Sequence, residues 1–522
     1  MPRTLRDELS WSEQTLADGS GCYVLGDALT GRRFGFSSAQ HALISAAATT
    51  NDTSVISREV AGRTGEQVSA EEVGEILKWL EGLAIFDEGL TEEQVRTKQM
   101  DGMAADLWES QKPALEGLVR RLREQTAFYR ERLPASFEAT DRGCLEILPV
   151  TQKEDLRHRF HEMIIHDAPR APNDEVLWAS TSGTTGDRVQ VASTRNSWIE
   201  SHESTWLMND RIREILSAGD DLRSCILTTP ICSGTQCHVG GLAPLEDRIF
   251  RGCLTLPTQM SFYDAAPEVF EQILTEIENH GPTFLEGAPN YIAALAHYIL
   301  RTGRRVPRLD LIVTCYELGG EVSREVIRRV FECPLYDSYA NSELGQMAIE
   351  CPHGNYHVPG DRYIFEILPD DETRRDDAGL AVITGLVDAI VPLVRYNTRD
   401  IVRRVAQPCR CSASETDTFA SIEGRLKEVV WLPDGRRLTP RRVDEIVAPV
   451  ARGVKLYKLV SMAPDRFELQ VVPADPTGEV GAKQMEEALR HFLGSEATLS
   501  CRILHRIPSE STGKYTLLQV RA

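Results

Sequence analysis

Lysine is scarce in this chain. Of 522 residues, 58 are lysine or arginine, and only 9 of these are lysine, leaving 58 − 9 = 49 arginines. No lysine occurs between Lys153 and Lys427. A large central stretch therefore has no ammonium group of its own to offer to a reaction. Long apolar runs are also missing. No uninterrupted run reaches the length of about 18 residues that a membrane helix needs. The opening residues, MPRTLRDELSWSEQ, have no apolar signal core. A cytoplasmic location is expected, where the 12 cysteines stay reduced. Positive charge is in deficit, with 58 basic against 78 acidic residues, a formal charge of -20. Such a balance makes the chain a poor general binder of nucleic acid or of an anionic membrane surface. Repeats and low-complexity tracts are absent as well.

What is present is an ordinary globular composition, 42% hydrophobic and 26% charged. The length suggests about three domains. In residues 1–90, CYVLGDAL and RRFGFS read as two short strands around Thr30-Gly31. AQHALISAAA and EEVGEILKWLEGLAIF have helical spacing, with Val73, Ile76, Leu77, Leu80 and Leu83 on one face. Together they suit a small winged-helix-like module. Residues 91–104 are polar and read as a linker. Residues 105–423 alternate apolar strands such as SCILTT and LDLIVTCYEL with helical stretches, the pattern of a large α/β domain. Residues 424–522 read as a compact α+β domain.

The sharpest local feature is Ser180-Thr181-Ser182-Gly183-Thr184-Thr185-Gly186. Glycines let backbone N–H groups approach an anion, and the hydroxyls add donors. An ordinary polar turn is the alternative. The loop is not a Walker A motif, since no GxxxxGK[ST] occurs. It resembles the phosphate loop of the adenylate-forming superfamily of acyl-CoA ligases and adenylation domains. Further motifs follow in that superfamily's order: Tyr339-Ala340-Asn341-Ser342-Glu343, Tyr396-Asn397-Thr398-Arg399-Asp400, Gly424-Arg425-Leu426-Lys427 and Ser511-Thr512-Gly513-Lys514. AFYRERL, LPVTQKEDLR, VPLVRYNTRD and the Glu350-Cys351…His357 segment are similar to motifs of phenylacetate–CoA ligase-like enzymes. The resemblance covers roughly residues 105–522.

This resemblance implies a fold, a reaction and a set of roles. The fold would be a large α/β domain carrying a small, mobile C-terminal domain. ATP and a small carboxylic acid would give an acyl-adenylate and pyrophosphate, and a thiol of coenzyme A or of a carrier protein would then take the acyl group. Ser182, Gly183, Thr184, Thr185 and Gly186 would hold phosphates. Gly320 and Glu321 would lie along the adenosine, and Tyr339 would stack on adenine beside Ser342. Asp400 would accept the ribose hydroxyls, and Arg425 would contact ribose or phosphate. Glu343 would ligate Mg²⁺. Lys514 would be the catalytic cation, and Lys427 would sit at the hinge. Ala340 replaces the family glycine, and Asp187-Arg188 stand where many members have a lysine.

Cys351, His357, Cys409 and Cys411 have the ligand types of a structural Cys3His zinc site. Reduced thiols without metal are the other reading. Cys232, Gln236, His238, Pro289 and Tyr291 fall where the family builds its acyl pocket. The polar residues there point to an aryl, heteroaryl or amino-substituted acid of specialised metabolism. The N-terminal pattern is similar to PqqD-like domains, which would dock a peptide or carrier protein; a stabilising or dimerising extension is the alternative. Family analogy alone implies a homodimer. Two competing functions remain: adenylation followed by a non-thiol nucleophile (an amine, or activation of an oxyanion such as nitrite), and a degenerate protein that only binds peptide or nucleotide.

Overall fold

The computed structural model describes residues 3–15, 21–27, 33–86, 89, 92–168, 174–181, 188–217, 222–230, 243–370, 377–407, 409–411, 413 and 416–521. The N-terminal segment forms an antiparallel three-stranded sheet, Leu9–Thr15, Gly21–Asp27 and Arg33–Phe36, followed by helices Ser38–Ala47, Thr53–Thr64 and Ala70–Gly82. Each helix opens on a side-chain cap, Ser37, Asp52 or Ser69, which satisfies amide groups the first turn leaves free. Leu43, Ile44, Val60, Val73, Leu77 and Leu80 close its core. The strand Leu9–Thr15 and the helix Thr53–Thr64 go beyond the periodic stretches noted in the sequence. The Thr30-Gly31 turn lies outside the described residues.

Residues 92–104, polar in composition, form the beginning of a 34-residue helix, Glu92–Gln125. Its later half buries Trp108, Leu115, Leu118, Val119 and Leu122 on one side. The spacing of three and four places these residues on one stripe, so the helix packs where its sequence becomes amphipathic.

A twelve-stranded sheet spans the large domain. One half is mainly parallel: Cys253–Thr255, Ser224–Leu227, Phe284–Gly287, Leu311–Thr314 and Leu335–Asn341 run in one direction. The central strand Leu311–Thr314 is buried at every position, as a parallel strand covered on both faces is. The other half is antiparallel and continues through Gly345–Glu350, Tyr356–His357, Thr418–Arg425, Tyr396–Arg404, Ala378–Gly385 and Tyr363–Leu368. Residues Thr228, Ala288, Cys315 and Tyr339 all fall at the carboxyl ends of the parallel strands. That edge is where open α/β sheets bind ligands.

The C-terminal residues build a separate four-stranded sheet, ordered Thr498–Ile503, Arg466–Pro473, Val454–Ala463 and Leu518–Val520. Helices Pro440–Val447 and Gly478–Leu493 cover it, over a core of Tyr457, Leu459, Phe467, Leu469, Val471, Met485 and Leu489. Among the described residues, no helix is long and apolar enough to cross a membrane.

Candidate active site

The strand Leu311–Thr314 ends in Cys315-Tyr316-Glu317, and the backbone turns sharply there. Tyr316 has φ of 78°, a left-handed conformation uncommon for a residue with a side chain. This turn aims the Tyr316 carbonyl at the tail, where Lys514 Nζ donates to it. The Tyr316 hydroxyl points the other way and donates to Glu286 Oε1 at 3.1 Å. Glu317 follows. One of its carboxylate oxygens accepts from Asn290 Nδ2 at 2.9 Å, and the other accepts from the Tyr515 amide at 2.6 Å.

Lys514 reaches this place on a loop shaped by Gly513, whose φ is 87°. A Cβ on Gly513 would stand 2.9 Å from Pro230 Cδ and 3.0 Å from the Tyr291 hydroxyl. Both the backbone angle and the crowding demand glycine. Burial lowers the Lys514 ammonium to about 8, with Arg425 adding to the effect and Glu317 opposing it. Burial likewise raises Glu317 to about 7, while the Tyr515 amide and the Asn290 side chain favour its ionised form.

Tyr339 and Asp400 stand on neighbouring parts of the same wall. The Tyr339 hydroxyl donates to Asp400 Oδ2 at 2.8 Å and lies 3.2 Å from Thr398 Oγ1. Arg425 Nε is 3.8 Å from Asp400 Oδ1. Burial pushes the Asp400 carboxyl up, and Arg425 opposes that. A cavity of about 310 Å³ is lined by Glu317, Tyr339, Asp400, Arg425, Lys427 and Lys514. The structure thus brings residues of four sequence motifs to one space between the large and C-terminal domains.

Ser342 and Glu343 lie in the turn between strands Leu335–Asn341 and Gly345–Glu350. The Glu343 side chain is only 5% exposed. Its Oε1 accepts from the Tyr396 hydroxyl at 3.0 Å and lies 3.5 Å from Lys153 Nζ. A nearly buried carboxylate attracts positive charge, and the Lys153 ammonium meets part of that demand here. The carboxylate suits Mg²⁺ if phosphates and water supply the remaining oxygen ligands.

Several residues proposed from the sequence stand elsewhere. Gly320 and Glu321 do not line the cavity. Gly320 caps the helix Glu321–Phe331, and a Cβ there would meet Asp444 Oδ1 at 2.8 Å. The Glu321 amide donates to Asp444 Oδ2 at 2.8 Å, so this pair is a contact with the C-terminal domain. Tyr291 is fully buried, stacks on Phe262 and directs its hydroxyl at the carbonyls of Gln259 and Gly513. It holds the lysine loop. Pro289 begins the helix Pro289–Thr302 and packs against Gly319. Ser182, Gly183, Thr184, Thr185 and Gly186 lie outside the described residues, as do Cys232, Gln236 and His238. The flanking strands Val176–Ser180 and Gln190–Thr194 pair antiparallel, with Thr181 and Val189 bonded across their open end.

Sequence reasoning missed Lys153, Tyr316 and Glu317. Lys153 lay within the quoted LPVTQKEDLR, so a signal existed for it. The others depend on a left-handed turn and on contacts between distant segments.

Behind Tyr316 lies a buried polar group. Glu286 stands 3.7 Å from His202 Nε2, and Gln346 Nε2 lies 3.0 Å from the same nitrogen. Elsewhere, Cys351, His357, Cys409 and Cys411 present ligand atoms that all lie within 4.8 Å of one another. Cys351 and Cys409 sulfurs are 3.6 Å apart, Cys409 and Cys411 3.5 Å, and Cys411 Sγ is 3.1 Å from His357 Nε2. Zinc bonds of about 2.3 Å to sulfur and 2.0 Å to nitrogen give tetrahedral edges of about 3.5–3.8 Å. The four groups fit such an ion with small adjustments. The other imidazole nitrogen faces Thr416 and Thr418 hydroxyls at 3.2 and 3.3 Å, which fixes the ring.

No family model matches the chain. In sequence it is similar to the phenylacetate-coenzyme A ligase of Pseudomonas putida, with 26% identity over 360 residues, 64% of this chain and 74% of the relative. The phenylacetate-coenzyme A ligase of Thermus thermophilus is 24% identical over 388 residues, 70% of this chain and 81% of that one. The fold is similar to the crystal structure of a 2-hydroxyisobutyryl-CoA ligase in the postadenylation state, in complex with R3-HIB-AMP. The TM-score is 0.58 at 16% identity, covering 81% of this chain and 90% of the other.

Proposed function

The chain belongs to the adenylate-forming ligases and is phenylacetate–CoA ligase-like, and from this premise we propose that it activates a polar-substituted carboxylic acid for transfer to coenzyme A. The acid's carboxylate oxygen attacks the α-phosphorus of ATP. Pyrophosphate leaves, and an acyl-adenylate forms. A thiol then attacks the acyl carbon, AMP departs, and the thiol proton goes to solvent. The observation that carries this reading is the meeting of Lys514 with Tyr339 and Asp400 around one cavity.

Each role follows from charge and geometry. The first step brings two anions together, so a buried ammonium aimed at the cavity stabilises the charge that develops between them. Lys514 is that group. Asp400 accepts the ribose hydroxyls, a carboxylate being able to take two vicinal donors. Tyr339, anchored by its hydroxyl, offers a ring face to adenine, and Arg425 supplies a cation near ribose and phosphate. Glu343 would ligate Mg²⁺, which when bound neutralises phosphate charge. Ser182, Thr184 and Thr185 would hold the phosphates. Lys427 belongs to the hinge about which the C-terminal domain turns between half-reactions.

The polar substituent on the acid is proposed from Gln236 and His238, polar residues of the segment that by resemblance builds the acyl pocket. The Cys3His cluster is proposed to hold a structural zinc ion that ties residue 351 to residues 409–411. The N-terminal module is proposed to dock a peptide or carrier protein.

Two measurements test the central reading. A pyrophosphate-release screen over matched acids, with and without amino or hydroxyl groups, should give turnover favouring the substituted acids. Lys514→Ala should lower adenylate formation by about two to three orders of magnitude while sparing thiolation of a supplied acyl-adenylate. Equal loss in both half-reactions would refute the role of Lys514.

A further inference from the structure

One buried carboxylate of the large domain faces the C-terminal loop and has no part in the chemistry above. Glu317 bonds to the amide of Tyr515, the residue next to Lys514, at 2.6 Å. Its other oxygen is anchored by Asn290, through Nδ2 at 2.9 Å and the backbone amide at 3.3 Å. We propose that Glu317 is a positioning residue that grips the lysine loop, holds Lys514 at the cavity for adenylation, and must release it before the second half-reaction. This inference rests on the role given to Lys514.

The geometry is specific to holding a loop. The left-handed Tyr316 turns the chain so that consecutive groups face the tail, the Tyr316 carbonyl toward Lys514 Nζ and the Glu317 carboxylate toward the next amide. Two points on adjacent residues fix both the position and the direction of the lysine. Neighbouring contacts to the same loop are neutral: Tyr291 to the Gly513 carbonyl at 2.9 Å, and Ser261 and Ser509 bonded to each other's amides at 3.0 and 3.3 Å. Above about pH 7, where the Glu317 carboxyl is ionised, its hydrogen bonds are roughly twice as strong as neutral ones. Asn290 is itself placed by the start of the helix Pro289–Thr302 and by a bond from Ser323 at 2.9 Å, so the carboxylate is braced from a rigid element. The contacts of Tyr316 with Lys514, Glu317 with Tyr515, Tyr291 with Gly513 and Ser261 with Ser509 all cross from the large domain to the C-terminal domain. Rotation of the latter breaks them together, and the cost of that rotation includes leaving Glu317 without the Tyr515 amide.

The test uses the full chain with Glu317→Ala and Glu317→Gln. Hydrogen exchange of residues 509–517 should be at least tenfold faster in Glu317→Ala. ATP–pyrophosphate exchange with phenylacetate as probe should slow at least tenfold, while turnover of supplied phenylacetyl-AMP with coenzyme A changes less than twofold. Glu317→Gln keeps one acceptor for the Tyr515 amide and should fall between the two. Unchanged protection of 509–517, or equal slowing of both half-reactions, overturns the proposal. If Glu317→Ala unfolds, seen as exchange throughout the chain, Glu317→Gln carries the comparison, and wild-type protection of 509–517 in it overturns the proposal equally. If wild-type protein exchanges pyrophosphate with no acid at all, the proposed function fails, and the hydrogen-exchange result decides the grip of Glu317 alone.

Discussion

In the role proposed for it, Lys514 must be protonated to bridge two anions, and its burial sets the pH at which that holds. Its ammonium is lowered to about 8. Below that value the charged form dominates; above it the proton is lost. Adenylate formation should therefore fall as pH rises through about 8, while thiolation of a supplied adenylate should not show that limb. A pH profile of each half-reaction checks this. Gly513→Ala tests the loop itself. The new Cβ would meet Pro230 and Tyr291, and the left-handed backbone costs a further roughly 1–2 kcal/mol. The expected result is about tenfold or greater loss of adenylation with little change in melting temperature, because the loop is displaced and the domain cores are untouched. The sequence marked both residues through the S-T-G-K motif. It did not mark Glu317, because nothing in ELGGE reveals that Tyr316 adopts a left-handed turn.

Strand ends and caps decide how the elements meet. Gly320-Glu321 looked like a strand end along the nucleotide, yet it abuts Asp444 on the helix Pro440–Val447. Asp444 is buried and accepts from the Glu321 amide at 2.8 Å and the Tyr457 hydroxyl at 2.6 Å. Asp444→Ala would leave two donors without an acceptor, a loss of about 2–3 kcal/mol. A lower denaturation midpoint for the C-terminal domain is expected, and chemical unfolding followed by fluorescence would measure it. Element types were largely legible, since periods of two and of three to four are local. The stretches KLYKLVSM and GAKQMEEALRHFLG, with these periods, overlap the strand Val454–Ala463 and the helix Gly478–Leu493. The polar stretch 92–104 was not legible as helix. Its composition resembles a connector, and it is helical as the start of a longer helix whose later half is buried.

At the scale of the whole molecule, the deficit of positive charge has a structural answer. Three of the nine lysines meet the site: Lys153 stands beside Glu343, and Lys427 and Lys514 line the cavity. The Cys3His cluster joins segments nearly sixty residues apart in sequence. Purified without chelator, the protein should carry about one zinc per chain; below about half an equivalent the assignment fails. Cys409→Ser should lose the ion and lower the melting temperature by about 5–10 °C, as expected for a few kcal/mol in a domain of this size. Activity per folded molecule should persist, because the cluster does not line the cavity.

Ordered motifs were enough to name the chemistry, because phosphate loops, metal-binding carboxylates and terminal lysines need particular side chains at particular places in the chain. From sequence alone came the expectation of an adenylate-forming enzyme, of Lys514 as its cation and of four zinc-type ligands; the structure brings Lys514 to the cavity and the four ligand atoms within 4.8 Å of one another. Which residues support them was a matter of the fold. Tyr316, Glu317 and Lys153 meet their partners through a backbone turn and through contacts across more than a hundred residues. Such proximity is created by sheet order and domain docking, which no local pattern encodes.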